Sequence, residues 1–107
     1  MEIKKHEKLL FLLLLNKMKA WNNSIELIRV LEFKFGIFYF NDLVNSILHE
    51  EFITREYEGQ VGSYFLTQKG IDVLNKDYLG IQRLLLTQYP DQNDFLNSIF
   101  ARENLNK

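Results

Sequence analysis

At 107 residues the chain can build one hydrophobic core but not two, so a single domain is expected over residues 1–107. Its 47% apolar and 25% charged residues are a globular composition, outside the disordered regime, and its net charge is only −1. The absence of cysteine excludes disulfides, thiolate metal sites and a cysteine nucleophile, and it agrees with a reducing, cytoplasmic setting.

The first helix is predicted over about residues 3–18. Its Leu9–Leu15 run is seven consecutive apolar residues, far short of the roughly 20 that span a bilayer. Lys4, Lys5 and Lys8 precede the run, but Asn16-Lys17-Met18-Lys19 follows where a signal peptide would carry small residues, so a soluble, unprocessed protein is expected. A helix apolar on every side has to be enclosed by its own fold or by a second subunit.

Asn22-Asn23-Ser24 is a cap cluster. It opens a second helix in which Ile25, Leu27, Ile28, Val30 and Leu31 form the inner face and Glu26, Arg29 and Glu32 the outer one. Gly36 is placed to close it. Ile37 to Phe40 reads as an apolar connector, either a turn or a short strand. Asn41 or Asp42 is expected to cap a third helix with Leu43, Val44, Ile47 and Leu48 inward, and Asp42, Asn45, Ser46, His49 and Glu50 outward.

At Phe52 the apolar period switches from 3.6 to 2. Phe52 to Tyr57 and Ser63 to Leu66 read as strands. Glu58-Gly59-Gln60-Val61-Gly62 is the hairpin tip, with two glycines able to take positive φ. Thr67 should cap a fourth helix running to Pro90. Its Ile71, Leu74, Tyr78, Ile81 and Leu85 recur in steps of three and four, and Gly80 weakens its middle by about 1 kcal/mol relative to Ala. Asp91 to Asn93 can cap a last short helix whose apolar face is Phe95, Leu96, Ile99 and Phe100, and Asn104 to Lys107 is expected to fray.

Helix, strand, glycine tip, strand and capped helix follow one another over residues 41–74. With Tyr64-Phe65-Leu66-Thr67-Gln68-Lys69-Gly70 at the last junction, this stretch resembles the second half of bacterial winged-helix regulators of the PadR, MarR and ArsR types. With the two preceding helices the resemblance covers about residues 3–85. It implies a mainly α domain with a small two-strand wing: a winged helix-turn-helix with extra C-terminal helices over residues 68–103. It also implies a cytoplasmic transcriptional regulator that binds double-stranded DNA, with the third helix in the major groove and the wing along the backbone. By position, the candidate DNA-binding residues are Asn41, Asn45, Ser46 and His49 on the helix, and Arg55, Tyr57 and Gln60 on the wing.

Charge runs against that function. Residues 1–20 carry +3, residues 21–58 carry −4, and the remainder balances. Asp42, Glu50, Glu51, Glu56 and Glu58 surround the candidate positions, whereas phosphate contacts need cations, and Lys4, Lys5, Lys8 and Lys19 are the ones available for recruitment. The alternative is a winged-helix module of the antirepressor or nucleic-acid-mimic type, whose acidic helix face binds a protein.

Catalysis is not expected. His6 and His49 are the only histidines and no hydrolase or metalloprotease motif occurs. His49-Glu50-Glu51 places its side chains about 100° apart around a helix, which cannot close on one ion. No metal or cofactor is implied. The Ile71, Leu74, Tyr78, Ile81 and Leu85 stripe, with the all-apolar first helix, points to a homodimer joined through the C-terminal helices.

Overall fold

The computed structural model describes residues 2–17 and 22–101; Lys19 and residues 104–107, for which expectations were stated, lie outside them. The architecture is mainly helical with one two-stranded antiparallel ribbon, in the order α1 (Lys5–Lys17), α2 (Ser24–Phe35), α3 (Phe40–His49), β1 (Ile53–Glu58), β2 (Val61–Leu66), α4 (Gln68–Lys76), α5 (Tyr78–Gln88) and α6 (Asn93–Ala101). A 3₁₀ turn over Pro90–Gln92 joins the last two helices. No helix among the described residues is long and apolar enough to cross a membrane.

Helix α1 is the axis of the fold. Every residue from Leu9 to Leu15 is buried, because α3, α4, α5, α6 and β2 all pack around it. An uninterrupted apolar surface is therefore covered within one chain. Removing such a side chain costs about 2–5 kcal/mol once the cavity left behind is included.

Helix α2 begins as its cap cluster suggests: the Asn23 Oδ1 accepts from the Glu26 N–H at 2.9 Å, and Gly36 closes the helix with φ 66°. Just ahead of it, the Asn22 carbonyl accepts from the Tyr64 N–H at 3.0 Å, and Asn23 bridges Ser63 antiparallel. The entry to α2 thus satisfies the outer edge of β2. One residue departs from the expected inner face. Ile25 is 55% exposed, because it lies four residues from Arg29 on the side of the helix away from Leu27, Val30 and Leu31.

The connector Ile37–Tyr39 is irregular rather than a strand. Helix α3 starts at Phe40, with Tyr39 at the cap position and no side-chain cap; Asn41 and Asp42 lie inside the first turn. Burial decides this start. Phe40 packs its ring 6.0 Å from Phe11 and 5.8 Å from Tyr64, and Asp42 then sits where a negative charge favours the helix dipole. The other end is a Schellman turn: the Glu51 N–H donates to Leu48 and the Phe52 N–H to Ile47, with Glu51 left-handed at φ 65°.

The strands pair from Ile53↔Leu66 to Glu58↔Val61, leaving Gly59-Gln60 as a two-residue turn. Gly59 supplies the positive φ of 64° that a type II′ turn needs at its first position. Gly62 does not share that role. It is buried within β2, where the Tyr64 hydroxyl lies over it and an added Cβ would come within 2.9 Å of that oxygen.

Thr67 caps α4, its Oγ1 accepting from the Gly70 N–H at 3.1 Å. Gly70 rests against the Phe52 carbonyl with no room for a Cβ. The single helix expected from here to Pro90 is two. The chain breaks at Asp77 (φ −149°, ψ 63°), whose Oδ1 accepts from the Gly80 N–H at 3.1 Å and opens α5. Gly80 is therefore the third residue of a new helix, where a Cβ would collide with the Asp77 carboxylate. Leu96, Ile99 and Phe100 of α6 are buried, and this helix packs on α5 and α1.

Candidate functional site

Helix α3 is held from below by Leu43, Val44 and Ile47, all buried, and this fixes what it presents outward. Asn41, Asn45 and His49 follow one another at four-residue spacing along the exposed side; Ser46 beside them is half-buried. Two polar links anchor the helix to α1. At its end the Lys8 ammonium meets the Glu50 carboxylate at 3.0 Å. At its start, the Tyr39 hydroxyl donates to Glu7, whose other oxygen accepts from the Lys4 N–H at 2.9 Å. Glu7 is buried, and such a carboxylate is tolerated inside only when hydrogen-bonded. The Tyr89 phenol is pushed up to about 12, first by burial and then by the Glu7 charge. It sits among the rings of Phe35 and His6.

On the wing, Arg55 and Tyr57 share a face because they are two residues apart, and Arg55 lies directly opposite Tyr64. The guanidinium stands 4.9 Å from the Tyr57 ring centre. Burial pushes the Tyr64 phenol up, and the adjacent Arg55 guanidinium partly counters that shift. Arg55 is thus engaged with two of the protein's own tyrosines while remaining exposed. Gln60 is exposed at the turn tip. Six of the seven positions expected to contact DNA are exposed, and the structure arranges them as a helix stripe and a wing face.

The exposed charge of these elements is negative. Asp42, Glu51, Glu56 and Glu58 are exposed, Glu56 and Glu58 on the ribbon face opposite Arg55, and Arg55 is the only Lys or Arg on α3 and the two strands. Of the lysines available for recruitment, Lys4 and Lys5 are exposed. Lys8 is paired with Glu50, and Lys5 and Lys8 line a cleft with Val73, Lys76 and Leu84 of the C-terminal helices.

Sequence reasoning missed exposed apolar side chains on α2 and the connector. Phe33 is 83% exposed on α2 and Phe38 is 70% exposed in the connector, in addition to Ile25. Ile25, Arg29 and Phe33 stand four residues apart, opposite the buried Leu27 and Leu31, so helical spacing alone could have revealed those on α2. The C-terminal stripe needs the reverse correction. Leu74, Ile81 and Leu85 are buried in the chain's own core, leaving only Ile71 and Tyr78 of the five half-buried.

Among the described residues no three His, Asp or Glu side chains converge as a metal-ligand set. No family model matches the chain, and neither does a curated protein or a solved structure. A functional reading rests on the chemistry of the surface itself.

Proposed function

We propose that this chain is a winged-helix interaction module, which binds a protein through α3, the wing and the exposed aromatics. The winged-helix reading is supported by the order of three helices, a two-strand hairpin and a helix capped by Thr67. The protein-binding reading rests on one observation: α3, the wing and the turn between them expose four carboxylates but a single cation, Arg55, which is already stacked on Tyr57. Duplex DNA binding draws most of its affinity from cations that displace counterions at phosphates, and one arginine cannot offset four acids. Exposed Phe33, Phe38 and Tyr57, together with these acidic groups, suit a partner that is basic and partly apolar. The cysteine-free sequence suits a cytoplasmic setting for such a role.

A second reading, a DNA-binding regulator, draws support from the Asn41, Asn45 and His49 stripe, since asparagine amides and imidazoles can hydrogen-bond base edges. A homodimer serving palindromic sites would have to use what the C-terminal helices leave uncovered, chiefly Ile71, Tyr78, Leu84 and exposed Leu79.

Titrating a labelled random-sequence duplex across a salt series separates the two. The interaction reading predicts a Kd weaker than about 10⁻⁴ M at physiological salt, the weak end of non-specific binding. It also predicts that Asp42→Lys with Glu56→Lys creates salt-sensitive affinity that the natural protein lacks. Micromolar duplex binding by the natural chain, lost in Arg55→Ala, would establish the DNA reading instead.

A further inference from the structure

The cleft between α1, the α3–β1 junction and the α4–α5 break belongs to neither surface described above. Its volume is about 750 Å³, within the range of sites that take small organic molecules. Half-buried Phe52, Val73 and Leu84 form its apolar walls, over a floor of buried Leu9, Leu12 and Ile81. Three lysines line it, Lys5, Lys8 and Lys76, against two acidic residues, Glu50 and Asp77.

One of the two carboxylates is neutralised by a cation: Glu50 holds Lys8 at 3.0 Å, whereas the Asp77 Oδ1 accepts from the neutral Gly80 N–H that opens α5 and keeps its charge. An incoming molecule then meets exposed Lys5, Lys76 and Asp77, a net of one positive charge at a largely apolar cleft. The charge balance selects a single negative head, and the walls select a hydrocarbon body.

We propose that this cleft binds a medium-chain aliphatic carboxylate, with its chain along Phe52, Val73 and Leu84 and its head toward Lys5 and Lys76. The break at Asp77 belongs to the site, because Lys76, Asp77 and Gly80, the residues on either side of it, line the cleft. The proposal is independent of whether α3 meets a protein or DNA.

The test is a titration of the isotope-labelled, full-length chain with decanoate, followed by amide chemical shifts. Saturable shifts centred on Leu9, Phe52, Val73 and Leu84 are expected, with decanol about tenfold weaker and decyltrimethylammonium weaker still. The double variant Lys5→Gln, Lys76→Gln alters only exposed side chains. It should weaken decanoate about tenfold while leaving decanol unchanged. The proposal is overturned if no saturable shifts appear, if they scatter over the surface, or if decanol and decanoate bind alike. It is equally overturned if the double variant keeps full decanoate affinity. Shifts of the same amides with protein concentration alone would assign the cleft to a second copy of the chain and also overturn it.

Discussion

Glu7 and Tyr39 are 32 positions apart, yet their hydrogen bond fixes where the connector hands over to α3. The Tyr39→Phe variant keeps the ring and removes the hydroxyl, leaving the buried Glu7 carboxylate with the Lys4 N–H as its remaining hydrogen-bond donor. A loss of about 1–3 kcal/mol is expected, the range for a buried acceptor deprived of its donor, read as a lower urea midpoint at unchanged slope. Adding Glu7→Gln should return part of that loss, because a neutral amide is less costly to leave under-bonded; strict additivity would show that the two residues act separately. Nothing in the sequence marks this pair. Arg55 is similar: alternation along β1 places it beside Tyr57 on the face of buried Ile53, but its position against Tyr64 depends on the two-residue turn that sets the register.

Among the elements, those governed by local rules were legible. Asn23 and Thr67 cap the helices that their short polar side chains announce, and the switch in apolar period at Phe52 marks the wing. The α4–α5 break was not legible, and the reason is geometric. Ile71, Leu74, Tyr78, Ile81 and Leu85 keep their steps of three and four across Asp77, so the pattern reads as one helix although the backbone leaves helical geometry there. The beginning of α3 was misplaced because two good capping residues, Asn41 and Asp42, follow Phe40, and burying Phe40 outweighs capping at either of them. The Asp77 cap gives a direct test of the break. Asp77→Ala and Gly80→Ala should each destabilise by about 1 kcal/mol, the first by losing the cap and the second by expelling the carboxylate that makes it. Since both remove one interaction, the double variant should cost clearly less than the sum in chemical denaturation. A full sum would mean that Gly80 is required for some reason other than the cap.

For the molecule as a whole, stability should fall at high pH through Tyr64 and Tyr89. Both phenols titrate above the ordinary value of 10 in the folded protein, Tyr89 at about 12. Between pH 10 and 12 the unfolded chain has released the Tyr89 proton while the folded one still holds it, so the unfolded state binds fewer protons and stability declines as pH rises. Below pH 10 this contribution is fully present. Thermal unfolding followed from pH 9 to 12 should show a falling midpoint, and Tyr89→Phe should flatten the upper part of that fall. An unchanged slope in Tyr89→Phe would place the alkaline sensitivity elsewhere.

The enclosed helix α1 also has a consequence before the fold exists. The Leu9–Leu15 segment precedes in the chain every element that later covers it, from Leu43 on α3 to Phe100 on α6. During synthesis it therefore waits, uncharged and wholly apolar, as the kind of short segment that drives chains to associate with one another. The sequence brackets it tightly: Lys4, Lys5 and Lys8 stand on one side, Asn16 and Lys17 on the other. Such flanking charges act as gatekeepers, opposing the stacking of one nascent chain on the next. The lysines at the head of α1 would then serve the polypeptide twice, first as guards of an unburied segment and later as the charged rim of a finished cleft.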